Sequence, residues 1–399
     1  MRRSSSMQIR FVLLLALLTA FPPLATDMYL PAIPHLMQIW GRPLSIINLT
    51  LILFFITYCV SLLFYGPLSD RFGRKPPLVS GLILFIAASL FCAVSSNVWM
   101  LVAARVVQGM GAGAASSISL AMARDRLESS VREKVLSQVS VIMALAPMIS
   151  PSIGSLIIDY FSWQWVFVAQ GIMGCVALAG VLATSESHGG EVGESLGELI
   201  QKYMQVFRNR SFMGVVFCNA MIALPLFAFI AGSSSIYINN FGLSEKQFAL
   251  FFGANAFCFM AGSMTCMRFG QKIGTMAMIS CGYSGIILGG FLMLVNGLDG
   301  PFRFAIPMGL TTYCLGLSRP PSNNLALEQV DRDAGTASSL MVFSYFMCGA
   351  FSMWIVSLDW EDKLVYIGAL SIVSGIVAFG VWSVLKKHLK ISRAVEELV

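Results

Sequence analysis

The feature that most constrains this chain is a series of long segments without a single charged residue. They run from Pro43 to Ser69, Pro76 to Ala104, Val135 to Ile158, Tyr160 to Ser185, Ser211 to Ser244, Thr275 to Leu298 and Ala334 to Leu358. A bilayer core about 30 Å thick is crossed by about 20 apolar residues in a helix. Inside hydrocarbon a segment must satisfy its own backbone, and a helix does so. Only 12% of the residues are charged and 57% are hydrophobic, against roughly 25% charged in soluble domains. A soluble enzyme is excluded. The expected fold class is an all-α membrane protein.

Twelve spans are expected, at 11–33, 44–67, 76–96, 98–121, 137–158, 164–184, 211–233, 247–267, 275–297, 302–324, 334–357 and 363–385. Connections are short except 185–210, which is polar, Gly-rich and charged. It divides the chain into an N-terminal six-helix half (1–184) and a C-terminal one (211–385), with a linker (185–210) between them and a tail (386–399) behind. The start "MRRSSSMQIRFVLLLALLTA" also has the basic-then-apolar form of a signal peptide, but no small-residue cleavage site follows. None of the nine cysteines has C-x-x-C spacing, and His35, His188 and His388 are scattered. Apolar packing is expected of the cysteines, and no metal site.

Positive charge orients the spans. Arg2, Arg3 and Arg10 precede span 1, and Arg71, Arg74 and Lys75 lie between spans 2 and 3. Arg124, Arg126, Arg132 and Lys134 lie between spans 4 and 5, and Lys386, Lys387, Lys390 and Arg393 follow span 12. The alternate loops are poorer in Lys and Arg. Both termini are therefore expected in the cytoplasm. This bias accounts for the net charge of +6, so no nucleic-acid partner is implied. Two halves of six spans suggest a transporter built from repeats. The echo of "RFGRK" after span 2 in "RFGQKIG" after span 8 supports this.

Four stretches carry chemistry. In "GPLSDRFGRKPPL" (Gly66 to Leu78), Gly66 and Gly73 permit close helix approach and a tight turn, and Asp70 is an anion among cations. Topology-setting alone is the plainer reading of those charges. In "LVAARVVQGMGAGAA" (Leu101 to Ala115), Arg105 lies inside span 4, where an arginine costs about 2.5–3.5 kcal/mol on insertion scales, unless it snorkels to the outer edge. In "ALAPMISPSIGSLI" (Ala144 to Ile157), Pro147 and Pro151 each remove a helix hydrogen bond and Gly154 allows close packing. In "PPLATDMYLPAIP" (Pro22 to Pro34), Asp27 follows an uncharged apolar run and two prolines. It lies about 24 Å along span 1, in the outer half of the membrane. Burial there disfavours the charged carboxylate and a nearby cation such as Arg105 favours it. A group so balanced can take up and release a proton. The alternative is that span 1 ends near Leu24 and Asp27 is an interfacial cap. "LSRPPSNN" in span 10 places Arg319 before two prolines expected to interrupt the helix, as a pathway cation or an inner-edge anchor.

These stretches resemble the major facilitator superfamily. Gly66, Leu68, Asp70, Arg71, Gly73, Arg74, Lys75 and Leu78 fit its loop signature between spans 2 and 3. Arg105, Gln108, Gly109 and Gly111 are similar to its span-4 motif. Pro147, Pro151 and Gly154 resemble the antiporter motif of its exporters, with Ser150 and Ser155 where glycines are usual. "TDMYLPAIP", "SSSIYINNFGLSEKQFALFFGAN" and "DAGTASSL" resemble the Bcr/CflA subfamily of drug:proton antiporters, which are bicyclomycin-resistance-like. The resemblance implies a twelve-helix fold and proton-coupled export of small molecules by alternating access, with the inner side closed by Asp70, Arg71, Arg74 and Asp125. Asp70 would contact the start of span 11, and Arg74 would pair with Asp125. Asp27 would carry the proton with Arg105 as electrostatic partner. Tyr29, Tyr58, Gln108 and Asn255 are candidates for a substrate cavity. The implied partners are protons, a small molecule and the bilayer, with no cofactor and a functional monomer in a bacterial inner membrane. A proton-coupled carrier of one metabolite, in either direction, is the alternative. A membrane enzyme lacks a span-borne His/Asp or Ser/His cluster to support it.

Overall fold

The structure is a computed structural model that describes residues 2–126, 129–184, 196–295, 297–330 and 333–389. The first part of the expected linker, 185–195, and most of the tail, 390–399, lie outside the described residues. The described residues form helices joined by short turns. In the first half, span 1 begins as Arg2–Asp27, and spans 2 to 6 are Leu49–Phe72, Lys75–Ala93, Val98–Arg126, Ser129–Tyr160 and Trp163–Leu182. In the second half, spans 7 to 12 are Arg210–Ser234, Glu245–Ile273, Thr275–Val295, Phe302–Glu328, Ala334–Val356 and Lys363–Leu385. By length and composition 10 of them qualify as membrane-crossing. The other two are spans 5 and 10, of 32 and 27 residues. Both carry prolines, which do not break them: span 5 runs through Pro147 and Pro151, and span 10 through Pro307, Pro320 and Pro321. The interruption expected at Pro320 and Pro321 does not occur, because tertiary packing holds the helix where local hydrogen bonds are missing.

Span 1 behaves differently. Its α-helix stops at Asp27, a turn of 3-10 helix follows at Leu30–Ala32, and helix resumes at Ile33–Trp40. The expected single span to residue 33 is thus two helical pieces with a break directly after Asp27. Span 7 also ends irregularly, in a π-helical turn over Ser235–Asn240.

The chain divides into two compact units, Met1–Glu194 and Ser195–Val399. The helix Leu196–Phe207, within the expected linker, packs on spans 7 and 11 of the second unit. Val206 joins a buried cluster with Phe212, Val215 and Ala337, and Lys202 reaches Asp333 at 3.4 Å. The later part of the linker is therefore part of the second half.

Each unit repeats one packing pattern. In the first, span 4 packs against spans 2 and 3, span 3 against span 6, and span 1 against spans 4, 5 and 6. In the second, span 10 packs against spans 8 and 9, span 9 against span 12, and span 7 against spans 10, 11 and 12. Every pair in one half has its counterpart six spans later. The turn that closes span 2 at Gly73 (φ 85°) has the same backbone form as the one closing span 8 at Gly274 (φ 87°). The sequence echo places Gly73 opposite Gly270 instead, which lies inside span 8. The structural repeat is offset by one turn from the textual one.

Candidate functional site

Small residues set the distances in the first half. Methyl groups at Gly109 and Gly113 would overlap Phe54, Thr57 and Ser61 of span 2, and one at Gly111 would overlap Gly81 and Phe85 of span 3. Span 4 is thereby drawn in between spans 2 and 3. A methyl at Gly154 of span 5 would overlap the backbone carbonyl of Met28, so span 5 lies directly on the residue after Asp27. The serines at positions 150 and 155 are buried, and their hydroxyls turn back to the Ala146 and Ser152 carbonyls of their own helix.

The break after Asp27 changes the hydrogen-bond pattern of span 1. The Tyr29 amide donates to the Thr26 carbonyl at 3.1 Å, one residue short of the helical partner, Ala25. The Ala25 carbonyl then faces two side chains. Arg105 Nη1 donates to it at 2.9 Å and Gln170 Nε2 at 3.2 Å. Arg105 also donates to the Thr50 carbonyl through Nε at 3.1 Å and to Gln108 Oε1 through Nη1 at 2.6 Å. Gln108 Nε2 reaches Ser89 Oγ and Gln170 Oε1, both at 2.8 Å. The guanidinium stands 4.3 Å from the Phe54 ring centre and 5.4 Å from that of Tyr29. One polar network thus ties spans 1, 2, 3, 4 and 6 at the broken end of span 1.

Asp27 is 5% exposed, and its carboxylate accepts from the Thr26 hydroxyl at 3.0 Å. It is buried, as opposed to capping an interface. Asp27 and Arg105, expected as electrostatic partners, make no direct ion pair in the structure. Arg105 takes the backbone carbonyl two residues before Asp27, because the helix break presents an acceptor there. Tyr29 and Gln108 have no exposed surface. Gln108 is occupied by the network, and the Tyr29 hydroxyl accepts from Thr50 Oγ1 at 3.1 Å. Tyr58 is buried at 6% exposure and stacks on Phe54. Asn255, in the second half, accepts from Thr312 Oγ1 at 2.9 Å. Gln170, Ser89 and Thr50 escaped sequence reading: uncharged polar residues in helices carry no signal until a partner is brought to them.

Where span 2 turns into span 3, Arg74 bonds both neighbouring acids. Its Nε donates to Asp125 Oδ2 at 2.7 Å, and its Nη1 to Ser69 Oγ at 2.7 Å and to Asp70 Oδ1. This joins the end of span 2 to the end of span 4. Lys75 donates to the Leu182 and Thr184 carbonyls at 3.0 and 2.8 Å, capping span 6 with positive charge. Arg71 is exposed and lies over the Phe72 ring at 5.4 Å.

A family model described as Major Facilitator Superfamily matches residues 15–353. The chain belongs to that superfamily, and its twelve helices in two six-helix halves are the major facilitator fold. It is 29% identical over 377 residues to the "Uncharacterized MFS-type transporter YdgK" of Bacillus subtilis, covering 93% of this chain and 94% of that one. It is 27% identical to the "Bicyclomycin resistance protein homolog" of Haemophilus influenzae, covering 92% and 95%. It is also 27% identical to the "Multidrug resistance protein MdtL" of Escherichia coli, covering 92% of each. Among solved structures, a D-xylose-proton symporter superposes with a TM-score of 0.75 at 16% identity, over 93% of this chain and 97% of that one. A bacterial homologue of the lysosomal transporter Spinster, inward-facing, gives 0.75 at 14% over 96% and 98%. Those likenesses carry the fold alone.

Proposed function

We propose that this protein is a proton-coupled exporter of drug-like small molecules, working by alternating access in the cytoplasmic membrane of a bacterium with both termini inside. The observation that carries the reading is Asp27: a buried carboxylate at a helix break whose backbone is held by Arg105 and Gln170. A buried carboxylate hydrogen-bonded to the neighbouring Thr26 hydroxyl, with no ion pair among the described residues, has the chemistry of a proton carrier. Taking up a proton removes a charge two residues along the chain from the Ala25 carbonyl that anchors the network. The break can then re-form its contacts differently in the two states, which is what coupling requires. Arg105, Gln108 and Gln170 position Asp27. Asp70, Arg71, Arg74 and Asp125 serve the inner gate, and Pro147, Pro151 and Gly154 hold span 5 against the break. The names of the relatives from H. influenzae and E. coli support drug export, and the matching Lys and Arg bias supports the orientation. The carrier is read as functional as a monomer.

Asp27→Asn is the direct test, in proteoliposomes with an imposed pH gradient. The variant should fold, retain substrate counterflow and lose proton-driven transport. Undiminished proton-driven transport would remove Asp27 from the mechanism. A substrate-driven proton flux in the same direction as substrate would show symport and overturn export.

A further inference from the structure

Arg319 stands apart from the network of the first half. It lies about 26 Å from the outer end of span 10 and about 14 Å from the inner end, and it is partly buried. Among the described residues its guanidinium makes no hydrogen bond or ion pair; it lies over the Tyr345 ring of span 11 at 3.9 Å. Tyr345 is fixed in turn. Its ring meets Phe227 at 5.4 Å and Phe346 at 5.7 Å, it is 5% exposed, and its hydroxyl is buried without a partner. One turn along span 10, Asn323 accepts from Asn219 Nδ2 at 3.0 Å. Asn219 is 6% exposed, and its own Oδ1 is buried without a partner.

Stacking on a ring uses the face of a guanidinium and leaves its N–H edge free. That edge matches a carboxylate in a two-bond fork. A guanidinium turned to hydrocarbon is costly, so the free edge calls for a polar occupant. We propose that Arg319, seated on Tyr345, is a recognition site for the carboxylate of an aromatic substrate. The Tyr345 hydroxyl and the Asn219 carbonyl supply a further donor and acceptor, and Phe346 supplies apolar surface for a ring. This rests on the exporter reading and names one substrate class within it, amphiphiles that carry an oxyanion. The phosphate of a lipid headgroup presents the same chemistry, and the test separates the two.

The test is equilibrium binding of a fluoroquinolone carboxylic acid and of its methyl ester to the purified full-length protein. Wild type should bind the acid at least tenfold tighter than the ester. Arg319→Gln should abolish that preference without changing the Kd of the ester, which also reports an intact fold, and Arg319→Lys should keep part of it. Equal affinity of wild type for acid and ester, no binding of either, or an equal loss of both in Arg319→Gln would overturn the site. Phosphatidylglycerol added to the micelles should leave the preference intact. Its loss in wild type, together with weaker phosphatidylglycerol binding by Arg319→Gln, would assign the site to lipid. If the acid preference depends on Arg319 but a pH gradient drives no export of either compound, the exporter reading fails and the subsite stands.

Discussion

A guanidinium buried without a carboxylate partner depends on several neutral acceptors at once. Arg105 has the Thr50 and Ala25 carbonyls and the Gln108 amide on different sides of its fork, with the Phe54 ring beneath it. A lysine offers one compact charge and cannot span those directions. Arg105→Lys should therefore abolish coupled transport although charge is kept. Losing even one hydrogen bond to a charged group costs about 1.5–3 kcal/mol, so its unfolding temperature in detergent should fall. Wild-type pH-gradient transport in Arg105→Lys would show that charge alone suffices. Gln170 is the sharper case, since its hydrogen bonds go to Gln108 and the Ala25 carbonyl and not to Asp27. Gln170→Leu leaves Gln108 short of an acceptor and the Ala25 carbonyl short of a donor. It should lower stability by about 1–3 kcal/mol and weaken proton coupling more than substrate counterflow. Equal loss of both activities would make Gln170 a packing residue only. Asp27 and Arg105 were legible because a charge in an uncharged run stands out. The joint between them was not, because the acceptor is a backbone carbonyl freed by a helix break, and no residue type marks one.

Helix contacts in this fold turn on which glycines are needed for space and which for backbone. A methyl at Gly154 overlaps the Met28 carbonyl, and backbone cannot move aside as a flexible side chain can. Gly154→Ala should push span 5 from the break and remove transport, while Gly270→Ala, which meets only Cys266 Sγ at 3.8 Å, should stay within about 0.5 kcal/mol of wild type. Thermal unfolding and proteoliposome transport, measured on both variants, check this; an active Gly154→Ala would mean the contact is not maintained through the cycle. The loop signature divides the same way. Gly73 has φ 85° and ψ 163°, a region that is essentially glycine-only and costs of order 1–3 kcal/mol for other residues. Gly66 has room, with Ser117 Oγ the nearest atom at 3.7 Å. Gly73→Ala should destabilise the protein and Gly66→Ala should not, in the same unfolding assay. Both glycines of the signature permit close approach and a tight turn, but only the turn at Gly73 shows a steric demand. The span ends were legible to within a turn or so in most helices, since charge and turn residues mark them. The break in span 1 was not, because Pro22 and Pro23 lie before it and the chain stays helical through both.

At the scale of the molecule, two halves with matching helix pairings carry unmatched chemistry. Within the twelve spans as bounded by sequence, Asp27 is the single carboxylate; the second half holds Arg303, Arg319 and Lys363 but no acid, where the first holds Arg105 and Asp27. A twofold design in packing has thus become one-sided in titration. The helix pairings repeat because small residues recur at the contacts, whereas a buried acid is costly and is kept where it is used. One carboxylate carries one proton, so each transport cycle should move one proton inward. Export of a monovalent cation then transfers no net charge, and export of a neutral or zwitterionic molecule transfers one positive charge inward. In proteoliposomes with the potential clamped by potassium and valinomycin, an inside-negative potential should accelerate export of a zwitterion and leave that of a monovalent cation unchanged. Asp27→Asn should remove the potential dependence along with the pH dependence. A monovalent cation whose export responds to potential would require a second proton, and with it a titrating group beyond Asp27.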